Sequence, residues 1–228
     1  MRIEEEIKLD YSDVLFRPKR STLKSRKDVD LSRKYTFKHS RSSWKGIPII
    51  ASNMDGVGEI DVAKKLTSHK LMTALTKQHD INQIGTIYKK NIFFDSIALS
   101  CGTSKDSYKR LNSILKKYPK FKFICIDVAN GYSENFSNFV SEVRNKYPKK
   151  TIIAGNVVTA DMTQELVLSG ADIVKVGIGP GSVCTTRLMT GVGVPQFSGI
   201  LECADAAHGV GGQVIADGGC VYLSLIHI

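Results

Sequence analysis

The strongest constraint on this chain is a repeating series of short apolar runs. Each run closes on a polar or glycine-rich cluster and is separated from the next by an amphipathic stretch. The runs fall at 47–51, 71–75, 96–99, 123–128, 151–154, 172–176 and 213–216. Between them, helical patterns fall at 62–66, 105–117, 133–146, 161–169 and 200–208. Strands alternating with helices at this spacing argue for βαβ units and a parallel sheet. The closing clusters are Ser52-Asn53-Met54-Asp55, Lys77-Gln78-His79, residues 100–104, residues 127–133, Gly155-Asn156, residues 177–187 and Asp217-Gly218-Gly219. In a (β/α)8 barrel such clusters gather on one face, at the C-terminal ends of the strands, where active sites are built. A doubly wound sheet also places ligands at strand C-termini, but seven strands in one continuous series favour the barrel.

The expected fold is therefore α/β: a TIM (β/α)8 barrel over residues 1–220, incomplete at about seven of eight βα units, with an N-terminal extension. The first 45 or so residues fit no βα unit. Their extended segments, 10–23 and 35–39, are expected to cap the barrel floor or to reach a neighbouring subunit. After Cys220 a barrel needs a helix and an eighth strand, whereas Val221–Ile228 carries no cap and no helical charge face. That run reads as a non-native tail.

At 228 residues the chain can bury a real core. No apolar run reaches the ~20 residues of a membrane span, and the acidic start, Met1 to Glu6, lacks the apolar stretch of a signal peptide. The five cysteines, at 101, 125, 184, 203 and 220, show no metal spacing. Cys101 and Cys125 sit in or at the end of apolar runs as reduced core residues, so the expected compartment is cytoplasmic. A formal charge of +10 invites a nucleic-acid reading. The basic residues are scattered, however, without the interleaved aromatics of a stacking platform. They read as solvated surface with some attraction for phosphorylated ligands; neither nucleic acid nor membrane is expected as a partner.

Residues Lys175 to Arg187 place a lone thiol, Cys184, among hydroxyls on a glycine-rich turn behind an apolar run. Gly177, Gly179 and Gly181 let a ligand approach the backbone. Free N–H groups on such a turn can bind an anion, and carbonyls turned the other way can hold a cation. Cysteine becomes a nucleophile where its surroundings favour thiolate. The bland alternative is a strand, a Gly-Pro turn and a buried structural cysteine.

With this loop the chain resembles the IMP dehydrogenase and GMP reductase family. Three features resemble its reductase branch: the segment Asp127 to Glu134, the N-terminal run Asp13 to Arg26, and a gap between Lys77 and Ser100 too short for an inserted regulatory domain. The resemblance implies reductive deamination, in which GMP and NADPH give IMP, ammonia and NADP⁺. Cys184 would attack purine C2 and form a thioimidate. Thr186 would work in proton transfer with a glutamate from a later segment that this chain does not contain, so the chain by itself is expected to be inactive; otherwise Thr186 is a loop hydrogen-bonder. Gly179, Gly181, Cys184 and Arg187 match a K⁺ site, although a rigid glycine turn needs no ion. Ser182, Gly218 and Gly219 match phosphate contacts and Asp217 a ribose contact, although Asp-Gly-Gly is also a common turn. Lys77, Asp127, Val128, Ala129, Ile178 and Gly179 match the nicotinamide side, although Lys77 and Asp127 also suit a rim salt bridge or a helix cap. Thr103 and Ser104 suit either the cofactor or the cap of the following helix. Ser25 and Arg26 match residues that reach a neighbouring subunit's cofactor, in a family that assembles as homotetramers. No GxGxxG fingerprint exists, so NADPH would bind without a Rossmann domain. Two readings compete with this one: a dehydrogenase lacking its regulatory domain, and a non-catalytic barrel that binds phosphate or nucleic acid.

Overall fold

A computed structural model describes residues 3, 5–89 and 94–220. A two-stranded antiparallel hairpin, β1 (Arg33–Thr36) and β2 (Ser43–Gly46), comes first. Seven parallel strands follow, hydrogen-bonded in sequence order: β3 (Ile50–Ala51), β4 (Met72–Leu75), β5 (Ile97–Cys101), β6 (Phe123–Asp127), β7 (Thr151–Val157), β8 (Ile173–Val176) and β9 (Gln213–Ala216). The order never reverses, so there is no switch point of the doubly wound kind. The helices are α1 (Ile60–Ser68), α2 (Ile81–Lys89), α3 (Lys105–Lys117), α4 (Glu134–Lys146), α5 (Ala160–Leu168), α6 (Thr186–Thr190) and α7 (Gln196–Gly209).

The sheet is curled. Six strand spacings of roughly 4.8 Å would hold the two edges of a flat sheet roughly 29 Å apart. Instead Ser52, just past β3, donates from Oγ to Asp217 Oδ1 just past β9, at 3.4 Å. The fold is an incomplete (β/α)8 barrel, as the repeat of apolar runs implies. Strand alternation then sorts its two cores. Ile124 and Ile126 of β6 and Val174 and Val176 of β8 pack outward beneath the helices. Phe123 and Cys125 of β6 and Ile173 of β8 fill the barrel interior. On α3 the buried positions are Leu111, Ile114 and Leu115, one helical stripe, with Asp106 in the first turn and Lys116 and Lys117 in the last, as the helix dipole favours.

The hairpin closes the barrel floor, as expected for 35–39. Phe37 meets Phe123 edge-on at 5.6 Å between ring centres, and Trp44 Nε1 donates to Ser96 Oγ at 3.2 Å. Asp172, fully buried, fastens this plug. Its Oδ1 accepts from His39 N (2.8 Å) and Ser40 N (3.2 Å), and its Oδ2 from Ile152 N (3.0 Å) and Arg144 Nη2 (2.6 Å).

The segment around Asp10 does not cap the barrel floor, one of the two expectations for it. Leu9 N donates to Ser198 Oγ at 2.8 Å and Ser198 N to Leu9 O at 3.1 Å. Residues 8–13 thus lie along the start of α7, at the mouth of their own barrel, because Tyr11 is buried edge-on against Phe197 there. The helix α2 was not legible in the helical patterns. Its Gly85 weakens the signal, and a Cβ there would displace the Tyr118 hydroxyl. The segment 221–228, expected to be a tail, lies outside the described residues. No helix among the described residues is long and apolar enough to cross a membrane.

Candidate active site

The C-terminal ends of β6, β7, β8 and β9 build the mouth of the barrel, and its centre is Lys175. On β8 this residue points inward like Ile173, one layer higher, and is buried. Its Nζ lies 2.8 Å from Asp127 Oδ1, 3.1 Å from Asp217 Oδ2 and 3.1 Å from Asn53 Oδ1. Burial disfavours the ammonium, but Cys125, Asp217 and Asp127 outweigh it and hold the lysine well above its ordinary value. Asp127 is therefore paired, as one alternative supposed, but with Lys175 rather than with Lys77.

Asn156 completes the centre. The register between β7 and β8 shifts between Gly155 and Val157, an irregularity that re-aims the intervening side chain. Asn156 Nδ2 consequently donates to Gly177 O at 2.8 Å and to Asp217 Oδ2 at 2.7 Å. Gly177 has φ +149°, and a Cβ on it would stand 2.5 Å from Asp217 O, so glycine is needed both for conformation and for space.

A cavity of about 690 Å³ opens beside this centre, a size that suits a small-molecule site. Lys77, Thr103, Ser104, Asp127, Val128, Ala129, Ile178 and Gly179 all line it, together with Asn156 and Thr186. Eight of the residues expected on the cofactor side thus converge, from the ends of four different strands. Ser104 lines the cavity and also caps α3, since its side chain accepts from Ser107 N. Ser25 and Arg26 are not in the lining; they stand on an exposed turn, where Ser25 caps Lys27 N. On the other side of Gly177–Gly179, the expected nucleotide residues meet. A Cβ on Gly218 would lie 3.4 Å from Pro180 Cγ and 3.5 Å from Gly181 N, and one on Gly219 3.2 Å from Pro180 Cβ, which sets Asp217-Gly218-Gly219 against the turn leading to Ser182.

Cys184 is exposed at this junction, not buried in the core. Its Sγ lies 3.3 Å from Thr186 Oγ1. The Thr186 hydroxyl, the Thr186 backbone N–H and the charge of Arg187 lower its pKa from the ordinary thiol value. Burial does the opposite elsewhere, pushing Cys101 up to about 12 and Cys125 and Cys203 up to about 11. A thiolate at Cys184 would accept from the hydroxyl that its thiol form donates to.

Arg187 holds the thiol's loop in place. Its Nε donates to Ile178 O at 3.0 Å, its Nη2 to Val194 O at 2.5 Å, and its Nη1 pairs with Asp10 at 3.4 Å. A Cβ on Gly179 would stand 2.8 Å from Arg187 Cγ, so that glycine makes room for the clamp.

Lys175, Asn156, Asn53, Ser52 and Asp10 were missed as site residues. For Lys175 the signal was present: a lysine inside an apolar β-run is seldom buried unless paired. For Asn156 the signal was its place in the Gly155-Asn156 cluster at a strand end, but its direction depends on the β7–β8 register.

Comparison with known proteins agrees with this architecture. A family model described as the IMP dehydrogenase / GMP reductase domain matches residues 8–227. The chain is 56% identical to a GMP reductase of Klebsiella pneumoniae subsp. pneumoniae over 223 residues, which cover 96% of this chain and 64% of that protein. It is 56% identical to one of Citrobacter koseri and 54% identical to one of Aeromonas hydrophila, each again covering 96% of this chain and 64% of the relative. The chain thus spans just under two thirds of the length of these curated relatives.

Proposed function

The chain belongs to the IMP dehydrogenase / GMP reductase family, and on that premise we propose that the whole protein reduces GMP with NADPH to IMP, releasing ammonia. The observation that carries this reading is the exposed Cys184, with its pKa lowered, in contact with Thr186 at the lining of a cavity that holds Lys77 and Asp127.

Cys184 as thiolate adds to purine C2, and the C2–N bond breaks to release ammonia, leaving a thioimidate. Thr186, within reach of the sulfur, serves proton transfer toward the departing amine. When bound, NADPH supplies a hydride to C2. The C–S bond then breaks and returns the electron pair to Cys184, with IMP as product. Asp217 binds ribose hydroxyls, while Ser182, Gly218 and Gly219 hold the phosphate through hydroxyl and N–H donors. Lys77, Asp127, Val128 and Ala129 orient the nicotinamide end, with Thr103, Ser104, Ile178 and Gly179 completing that wall.

A K⁺ ion fits the donor chemistry of the loop, since main-chain carbonyls of Gly179, Gly181 and Cys184 are hard oxygen ligands. Gly181 O also accepts from Cys184 N at 3.0 Å, so an ion there would bear on the turn that carries the thiol. Arg187 O accepts from Gly191 N at 2.9 Å, and its guanidinium braces the same loop. The proposed assembly is a homotetramer in the cytoplasm, with Ser25 and Arg26 reaching the cofactor of a neighbouring copy.

The test is to incubate the whole protein with GMP plus NADPH, or with IMP plus NAD⁺, and to follow reduced-cofactor absorbance. Loss of NADPH in the first mixture is the expected result. Appearance of NADH only in the second would replace this reading with a dehydrogenase.

A further inference from the structure

The geometry points to Lys175 as the positioning residue that holds the cofactor side and the nucleotide side of the mouth in register. This inference rests on the roles proposed above for Asp127 and Asp217. One ammonium, almost fully buried, reaches Asp127 Oδ1 at 2.8 Å and Asp217 Oδ2 at 3.1 Å. The two carboxylates come from the ends of strands three places apart in the sheet, and they would repel each other without the shared cation. Each gives Lys175 one oxygen. Asp217 Oδ2 is taken up further by Asn156 Nδ2 at 2.7 Å, while among the described residues Oδ1 receives only the long contact from Ser52 at 3.4 Å. Asp127 lines the cavity itself. Lys175 therefore fixes the rotation of both carboxylates and leaves their second oxygens for ligands. It also anchors Asn53 at the opposite sheet edge, at 3.1 Å. Removing the ammonium frees both anchors at once, and a misplacement of about 1 Å at a reacting centre costs about 100-fold in rate.

The experiment compares Lys175→Met, Lys175→Gln and Lys175→Arg with the parent sequence in the whole protein. Dissociation constants for GMP and for NADP⁺ are measured separately by calorimetry, beside kcat and both KM values. Unfolding midpoints report on folding, and Lys175→Gln carries the comparison should Lys175→Met not fold. The expected result is that the neutral variants weaken GMP and NADP⁺ together, each about tenfold or more, and lower kcat by about 100-fold, while Lys175→Arg recovers most of both. Loss of affinity for only one ligand, or for neither, overturns the inference, as does an arginine variant no better than the methionine one. A parent protein that binds both ligands without reducing GMP refutes the proposed reaction, and the affinity comparison still decides the role of Lys175. A parent protein that binds neither ligand overturns both.

Discussion

The barrel carries a buried ion pair at each end of β8, and the two are built to opposite standards. At the floor, Asp172 accepts four hydrogen bonds, and Arg144 donates from Nε to Gly170 O and from Nη1 to the carbonyls of Tyr147, Pro148 and Lys150. At the mouth, one lysine is shared by two carboxylates, and Asn156 Oδ1 and Gln196 Oε1 are buried without a hydrogen-bond partner among the described residues. A closed network spends its polar groups on holding the fold; an open one keeps some for a ligand. Three residues of one strand thus separate stability from chemistry, as barrel architecture in general does.

The largest expected effect lies at the mouth and leaves the floor untouched. Cys184→Ser in the whole protein lowers kcat for GMP reduction by about four orders of magnitude or more, because the nucleophile is removed. Its urea-unfolding midpoint stays at the parent value, because the side chain is exposed. A matching loss of stability would break the division between the two ends.

Next comes the floor. Asp172→Ala strands a buried guanidinium and leaves three backbone N–H groups without their acceptor, and it lowers unfolding free energy by about 3–5 kcal/mol. Asp217→Asn leaves Lys175 its contacts with Asp127 and Asn53, and costs less, about 1–2 kcal/mol. Equal losses in urea titrations would show the mouth pair to be structural as well.

Thiol chemistry gives a smaller effect. Because Thr186 lowers the Cys184 pKa, alkylation by iodoacetamide inflects below the ordinary thiol value, and Thr186→Val moves the inflection upward. The rate at pH 7 then falls about 3- to 10-fold. Mass spectrometry of the peptides should find Cys184 modified well before Cys101, Cys125 and Cys203, whose burial suppresses thiolate.

The sequence reading succeeded where information is local. Strand β9 and helix α3 fall on the expected runs, since a short apolar run and charged helix ends are written within each segment. Ser104 and the residues around Asp127 could be assigned to the mouth because strand C-termini must gather there. What escaped depends on long-range geometry. Lys175 stands in a run read for its apolar residues, and its meaning appears only once β6 and β9 bring their carboxylates to it. The hairpin β1–β2 escaped for a related reason. Its aromatic residues become core only against Phe123 and Ser96, some fifty or more positions away in sequence.

The smallest expected effect tests whether the closed floor carries a weakness of its own. His39 sits in the plug, with Nε2 2.7 Å from Val167 O, so that nitrogen carries the proton that binds the carbonyl. Burial lowers its pKa below 6.5, outweighing the bond to Val167 and the nearby Asp172 charge. The unfolded chain therefore takes up its proton at higher pH than the folded chain does. The His39 contribution is fully present above about pH 6.5 and is lost as pH falls through the folded value. Urea titrations at pH 7.5, 6.5 and 5.5 should show stability declining toward acid, above the range where carboxylates titrate. His39→Gln keeps a donor for Val167 without a titrating ring, and should flatten that decline. An unchanged slope would mean that the acid sensitivity arises in groups other than His39.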